Sequence, residues 1–138
     1  MSNIWDNIDT AAKIAREIDN NMRSIHCAIV CNKRKILAIG TNSRQTHPKA
    51  PVTARGQYLH AEVASIINAD REALRGSVLY VVRVGKAVGR PMRMSKPCEY
   101  CQAAIVKSGI KRVYYSINEE KAGYWIVDRN EWGINWRP

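Results

Sequence analysis

Two short stretches constrain this chain more than anything else in it: His60-Ala61-Glu62 and, further along, Pro97-Cys98-Glu99-Tyr100-Cys101. Between them they hold one imidazole, one carboxylate flanking it and two thiols. Both read as helix starts. After Glu62 the run Val63-Ala64-Ser65-Ile66-Ile67-Asn68-Ala69 is helix-compatible, with an expected end near Gly76; Pro97 suits a first helical turn and Gly109 the position just past a helix end. Helix starts gather unpaired N–H groups and the positive end of the helix dipole, a setting that favours thiolate over thiol.

One nitrogen and two thiolates form an accepted hydrolytic zinc set, with the fourth position left to water. His60, Cys98 and Cys101 are the candidate ligands. Zinc lowers the pKa of its water towards neutrality, so hydroxide becomes available without a strong base. Glu62, two residues past the histidine, can reach the same water without being a ligand, take its proton and deliver protons to a ring nitrogen and a leaving amine. The pairing of H-x-E with P-C-x-x-C is the signature of zinc-dependent nucleobase deaminases. A lone Cys-x-x-Cys also fits a redox pair or half of a structural zinc site. The second Cys-x-x-Cys or His pair that would complete such a structural site is missing. Glu99 and Tyr100 read as spacers.

The chain has 138 residues, a length that suits one domain, and its 46% hydrophobic content suits a packed core. Residues 1–138 are therefore expected to form a single zinc-dependent deaminase domain. No apolar run approaches membrane-spanning length, and Met1-Ser2-Asn3-Ile4-Trp5-Asp6 lacks the basic and apolar regions of a signal peptide. A cytoplasmic location without a membrane partner is the expectation, and there the four cysteines are reduced and Cys98 and Cys101 are free for metal. Twenty-two basic residues against twelve acidic ones give a net charge of +10, which draws anions, either a phosphorylated small molecule or nucleic acid.

In chain order, Ile4, Ile8, Ala11, Ala15, Ile18 and Met22 recur at helical spacing and predict a scaffold helix over about Asn3–Asn20, flanked by Trp5, Ala12 and Ile14. His26–Cys31 and Ile36–Ile39 read as hairpin strands joined by Asn32-Lys33-Arg34-Lys35. Cys27 and Cys31 share a face with Ile29 and read as core, with a second metal site near His26 as the alternative. The stretch from Thr41 to Pro51 reads as a loop in which Asn42 can meet a sugar hydroxyl, and Arg44, Lys49 and Arg55 a phosphate. Ser77–Val84 reads as a central strand covered on both faces. Lys86, Arg90, Arg93 and Lys96 make the next loop a basic rim. Arg112–Ile117 is a further strand, and Tyr124–Val127 a shorter one. Trp125, Trp132 and Trp136 read first as packing or a subunit contact, and less readily as base-stacking groups.

The order helix, two strands, helix, strand, helix, strand, with the motifs above, resembles the cytidine deaminase superfamily and within it the deoxycytidylate (dCMP) deaminase group, including short phage versions. The resemblance spans roughly residues 22–117 and also draws on Gly40-Thr41-Asn42 and Gly109–Tyr115. It implies an α/β fold of three layers, α/β/α, around a mixed five-stranded sheet. It implies zinc on His60, Cys98 and Cys101, Glu62 as proton shuttle, Asn42 as sugar contact, the backbone of Ala61 as base contact, and Tyr115 lining the pocket. It further implies hydrolysis at C4 of cytosine, dCMP to dUMP, in a homo-oligomer. Two departures stand out: Asn42 is followed by Ser43-Arg44 where regulated relatives carry an Asn-Gly pair, and Ser116 stands where relatives often carry an acidic residue.

Three function classes follow. The first is a free-nucleotide enzyme acting on dCMP, or on cytidine or deoxycytidine if no arginine such as Arg44 holds phosphate. The second deaminates a base in single-stranded nucleic acid or tRNA; the basic loop 83–96 lacks the interleaved aromatics of a stacking groove. The third is a non-catalytic zinc module that binds nucleic acid, against which Glu62 argues, since a structural site needs four ligands and no free carboxylate.

Overall fold

The computed structural model of the chain describes residues 3–18, 24–43 and 59–138. The first element, α1 (Ile4–Glu17), starts at Asn3, whose side chain accepts from the N–H groups of Trp5 and Asp6 while the Asp6 carboxylate accepts from the N–H of Asn3. This capping box fixes the start. The helix buries Trp5, Ile8, Ala11, Ala12 and Ala15. It stops at Glu17, sooner than the apolar spacing predicts, with Ile18 as an extended cap; Met22 lies outside the described residues.

Among the described residues seven strands form one sheet, where five were expected. The hairpin pair β1 (Ile25–Asn32) and β2 (Lys35–Thr41) turns at Lys33, which has a φ of 56°. The others are β3 (Val78–Val84), the two-residue β4 (Met92–Arg93), β5 (Arg112–Ser116), β6 (Lys121–Ile126) and β7 (Glu131–Trp136), in the order β2-β1-β3-β5-β6-β7 with β4 beside β3. Only β3 and β5 among the described pairs run parallel, so the sheet is mixed. β4 sits inside the stretch expected to be loop, and β7 had its own signal, since Trp132, Ile134 and Trp136 alternate with Glu131, Gly133 and Asn135.

Alternation along the strands builds two cores. Cys27, Ile29, Cys31, Tyr80, Val82, Val84 and Tyr114 pack under α1, and Ala28, Val30, Leu79, Val81 and Val113 pack on the opposite face with Ala61 and Ile105. Those last two belong to α2 (Ala61–Asn68) and α3 (Glu99–Ser108), so the three layers are helix, sheet, helices. Cys27 and Cys31 are core residues as alternation requires. Burial raises their thiols to about 12 and about 11, and the sheet separates them from the other two cysteines.

Both functional helices differ slightly from expectation. α2 ends at Asn68, well before Gly76, where the Ala69 N–H closes onto Ser65 and Ile66 and the Asp70 carboxylate starts a turn by accepting from the Glu72 N–H. Pro97 stands before α3 and not in its first turn, because Cys98 takes the extended cap position. Gly109 closes α3 at a φ of 87°, the left-handed conformation that favours glycine. The rings of Trp125 on β6 and Trp132 on β7 stack at 4.7 Å, with Lys96 Nζ 4.5 Å from the Trp132 ring centre, so these rings serve packing.

Candidate metal centre and active site

α2 begins at His60 and α3 at Cys98, and neither side chain caps its own helix. Ser, Thr, Asp or Asn would satisfy those free N–H groups better, as Asn3 does for α1. Two helix starts that forgo a cap point their first residues at each other. His60 Nδ1 lies 3.3 Å from Cys101 Sγ and 3.5 Å from Cys98 Sγ, and all three donor atoms fall within 4.8 Å of one another. A tetrahedral zinc with ordinary Zn–N and Zn–S bonds would separate nitrogen from sulfur by about 3.6 Å. The donor set fits that ion in type and in spacing.

The electrostatics point the same way. Cys101 is fully buried, and its thiol is pushed up by burial, by the Glu62 carboxylate and by Cys98. Glu62 is 4% exposed; burial pushes its carboxyl above the usual range, offset in part by its own backbone N–H and by Cys101. Its Oε1 is buried with no hydrogen-bond partner among the described residues. A buried orphan oxygen beside the Cys101 thiol is costly unless a cation or a ligand completes the site.

Supporting contacts set the positions of these groups. The Ser95 hydroxyl donates to Val81 O at 2.9 Å, and the Ser95 N–H donates to Ser116 O at 2.8 Å, anchoring the approach to Cys98 on β3 and β5. Ser116 is buried and donates from its hydroxyl to Arg93 O at 2.7 Å, so at this position the chain has a structural hydroxyl. The Gln102 side chain donates to Pro97 O at 2.8 Å. His26 opens β1 on the same side of the sheet as α2; burial, Arg83 and His60 push its pKa down to about 4, so it is neutral at pH 7.

The remaining sequence candidates fall in different places. Ala61 is buried at the first turn of α2, adjoining His60 and Glu62. Asn42 accepts from the His26 N–H at 2.9 Å and donates to Ser24 O at 3.1 Å, so its carboxamide ties the exit of β2 to the start of β1. Asn42→Ala should lower stability by about 1–3 kcal/mol through those unpaired groups. A urea melt checks this; an unchanged midpoint with a raised KM would assign the side chain to substrate alone. The Tyr115 ring lies over Gly123 on β6 and meets Trp132 edge-on at 6.2 Å, leaning away from β3. Arg44, Lys49 and Arg55 lie outside the described residues. Sequence reasoning passed over Arg83, whose signal is a charged residue inside an otherwise apolar strand.

Residues 1–117 match the family model described as the cytidine and deoxycytidylate deaminase zinc-binding region. No curated protein sequence matches the chain. Among solved structures, the chain is similar to the dCMP deaminase from the cyanophage S-TIM5 in apo form, with a TM-score of 0.56 and 23% identity over 85% of this chain and 86% of that one. It is also similar to the same cyanophage enzyme in complex with dCMP and dUMP, with a TM-score of 0.53 and 22% identity over 83% and 82% of the two chains. At these identities the likeness is one of fold. The family match spans both helix starts and their converging donors, and the chain belongs to the cytidine and deoxycytidylate deaminase family with its zinc-binding region.

Proposed function

We propose that the chain hydrolyses the amino group from C4 of a cytosine nucleotide, dCMP to dUMP and ammonia, with His60, Cys98 and Cys101 holding zinc and Glu62 moving the protons. The observation that carries this reading is the Glu62 carboxylate, buried beside Cys101 of the donor triad and unpartnered at Oε1 among the described residues. When bound, zinc is a Lewis acid that makes hydroxide available at neutral pH. Glu62 accepts the proton that water gives up and returns protons to the ring nitrogen and the departing amine; its raised pKa brings it nearer the working pH, where such exchange is most efficient. His60 and Cys98 stand at the starts of α2 and α3 and neither side chain caps its own helix, so both remain available as donors. The backbone of Ala61 would meet the base, Asn42 the sugar, and Tyr115 the wall of the pocket. A single domain, a homo-oligomer and a cytoplasmic setting belong to the same reading; no helix among the described residues is long and apolar enough to cross a membrane.

Ammonia release by zinc-loaded protein, with dCMP and deoxycytidine at equal concentration, tests the proposal. Turnover of dCMP is expected, with loss after chelation and recovery when zinc is restored. Zinc-loaded protein that releases ammonia from neither compound would sink the cytosine reading.

A further inference from the structure

Three strands place His26, Arg83 and Arg93 in one row across the sheet. His26 of β1 pairs with Arg83 of β3, which pairs with Arg93 of β4. Alternation puts the row on the face that carries α2 and α3. Ala28 and Val81, two positions from His26 and Arg83, pack on that face, whereas Met92 packs on the α1 side. His26 ties the row to the metal centre: its carbonyl accepts from the Asn42 N–H at 3.3 Å, and the next residue, Ser43, pairs with Leu59, which immediately precedes His60.

Directly opposed like charges in an antiparallel pair are destabilising. Carboxylates would relieve Arg83 and Arg93, yet the ion pairs among the described residues are Arg16–Glu119 and Arg137–Asp9. Residues 44–58 contain no Asp or Glu. Arg83 Nε is buried with no hydrogen-bond partner among the described residues. Arg93 lies across Gly85, where an added Cβ would come within 2.7 Å of its Nε; the bare backbone lets it lie against the end of β3. Other cations of this stretch are engaged. Arg90 donates to the carbonyls of Arg16 and Ile18 at 2.9 and 2.8 Å, and Lys96 covers Trp132.

We infer that Arg83 and Arg93 form an anion subsite beside the metal centre that holds the terminal phosphate of a free nucleotide. Guanidinium forks match phosphate oxygens, and two of them match the charge of a phosphomonoester, about −1.5 to −2 at neutral pH, better than the single charge of a phosphodiester. The choice of nucleotide rests on the deaminase reading above; the subsite itself rests on two opposed arginines with no ion pair among the described residues.

The test compares zinc-loaded wild type with Arg83→Gln, Arg93→Gln and Arg83→Lys, by kcat/KM on dCMP and on deoxycytidine and by melting with inorganic phosphate. The dCMP to deoxycytidine ratio should fall about 10- to 100-fold in Arg83→Gln, the worth of a charge-assisted contact, with Arg83→Lys in between. Phosphate should raise the melting temperature of wild type but not of Arg83→Gln. In phosphate-free buffer Arg83→Gln should melt no lower than wild type, because repulsion is relieved. An unchanged ratio together with equal stabilisation by phosphate would overturn the subsite and leave the deaminase reading standing. Phosphate stabilisation that depends on Arg83, in a protein that turns over neither compound, would uphold the subsite and sink the cytosine reading. Turnover of an internal cytosine in an oligonucleotide, lost in Arg83→Gln and exceeding that of dCMP, would overturn the assignment to a terminal phosphate.

Discussion

Glu62→Gln should bind zinc as wild type does and lose turnover by about 10²- to 10⁴-fold, the usual contribution of a positioned proton-transfer group. The three donors are other side chains, so the amide removes none of them. It is nearly the same size as the carboxylate and fits the same enclosed space, where Glu62 is 4% exposed. The amide carries no charge, so its burial costs less than that of an unpartnered carboxylate, and the melting temperature should hold. Metal analysis and ammonia release on one preparation separate these outcomes. Zinc bound with an unchanged rate would remove Glu62 from the chemistry, and zinc lost with the rate would make it part of the metal cage.

Gly40→Ala should be the most damaging substitution at a residue that touches no metal donor. An added Cβ would overlap the Ser65 nitrogen and come within 2.5 Å of Ala61 O and 2.8 Å of Ala64 C. All three are backbone atoms of α2, so no side-chain rotation can make room. The helix has to lift from β2, and it carries Glu62 and starts at His60. Overpacking of this kind costs about 1–3 kcal/mol, and a backbone clash belongs at the upper end. Zinc affinity should fall with stability, because one of three donors is displaced. Gly89→Ala is the control. Gly89 has a φ of 81° and open space around it, so only backbone strain of about 1–2 kcal/mol is expected and zinc binding should be unaffected. A denaturant melt and a competitive zinc titration on both variants decide the matter; a Gly40→Ala protein with normal zinc affinity would show that α2 is not held in place by this contact.

Much of the architecture was legible because the signals are local. The alternation of Cys27, Ile29 and Cys31 placed both cysteines in the core under α1, where they lie. The run after Ser77 read as a central strand, and β3 is covered on both faces. Other boundaries were decided by contacts. α2 stops at Asn68 because Asp70 turns the chain, although the sequence up to Gly76 tolerates helix. Pro97 was expected inside α3 and stands outside it, because the extended backbone at Cys98 takes the cap. β4 is too short for any periodicity to reveal, whereas β7, paired to β6 along its whole length, carried a legible alternation.

The candidate site divides in the same way. Which groups could hold a metal was determined by the sequence alone, since His60-Ala61-Glu62 and Pro97–Cys101 carry their chemistry within a few residues and at helix starts. Zinc chemistry depends on donor type first, and donor type is a property of the residues themselves. What the tertiary structure decided is everything that depends on neighbours distant in the chain. It brought His60 Nδ1 to 3.3 and 3.5 Å from the two sulfurs, left Glu62 Oε1 without a partner among the described residues and bound Asn42 to the start of β1. It also set Arg83 opposite Arg93, a pairing that exists only through strand register, and pressed α2 onto the bare backbone of Gly40. Register and close approach arise when separate segments pack, so no local pattern in the sequence carries them.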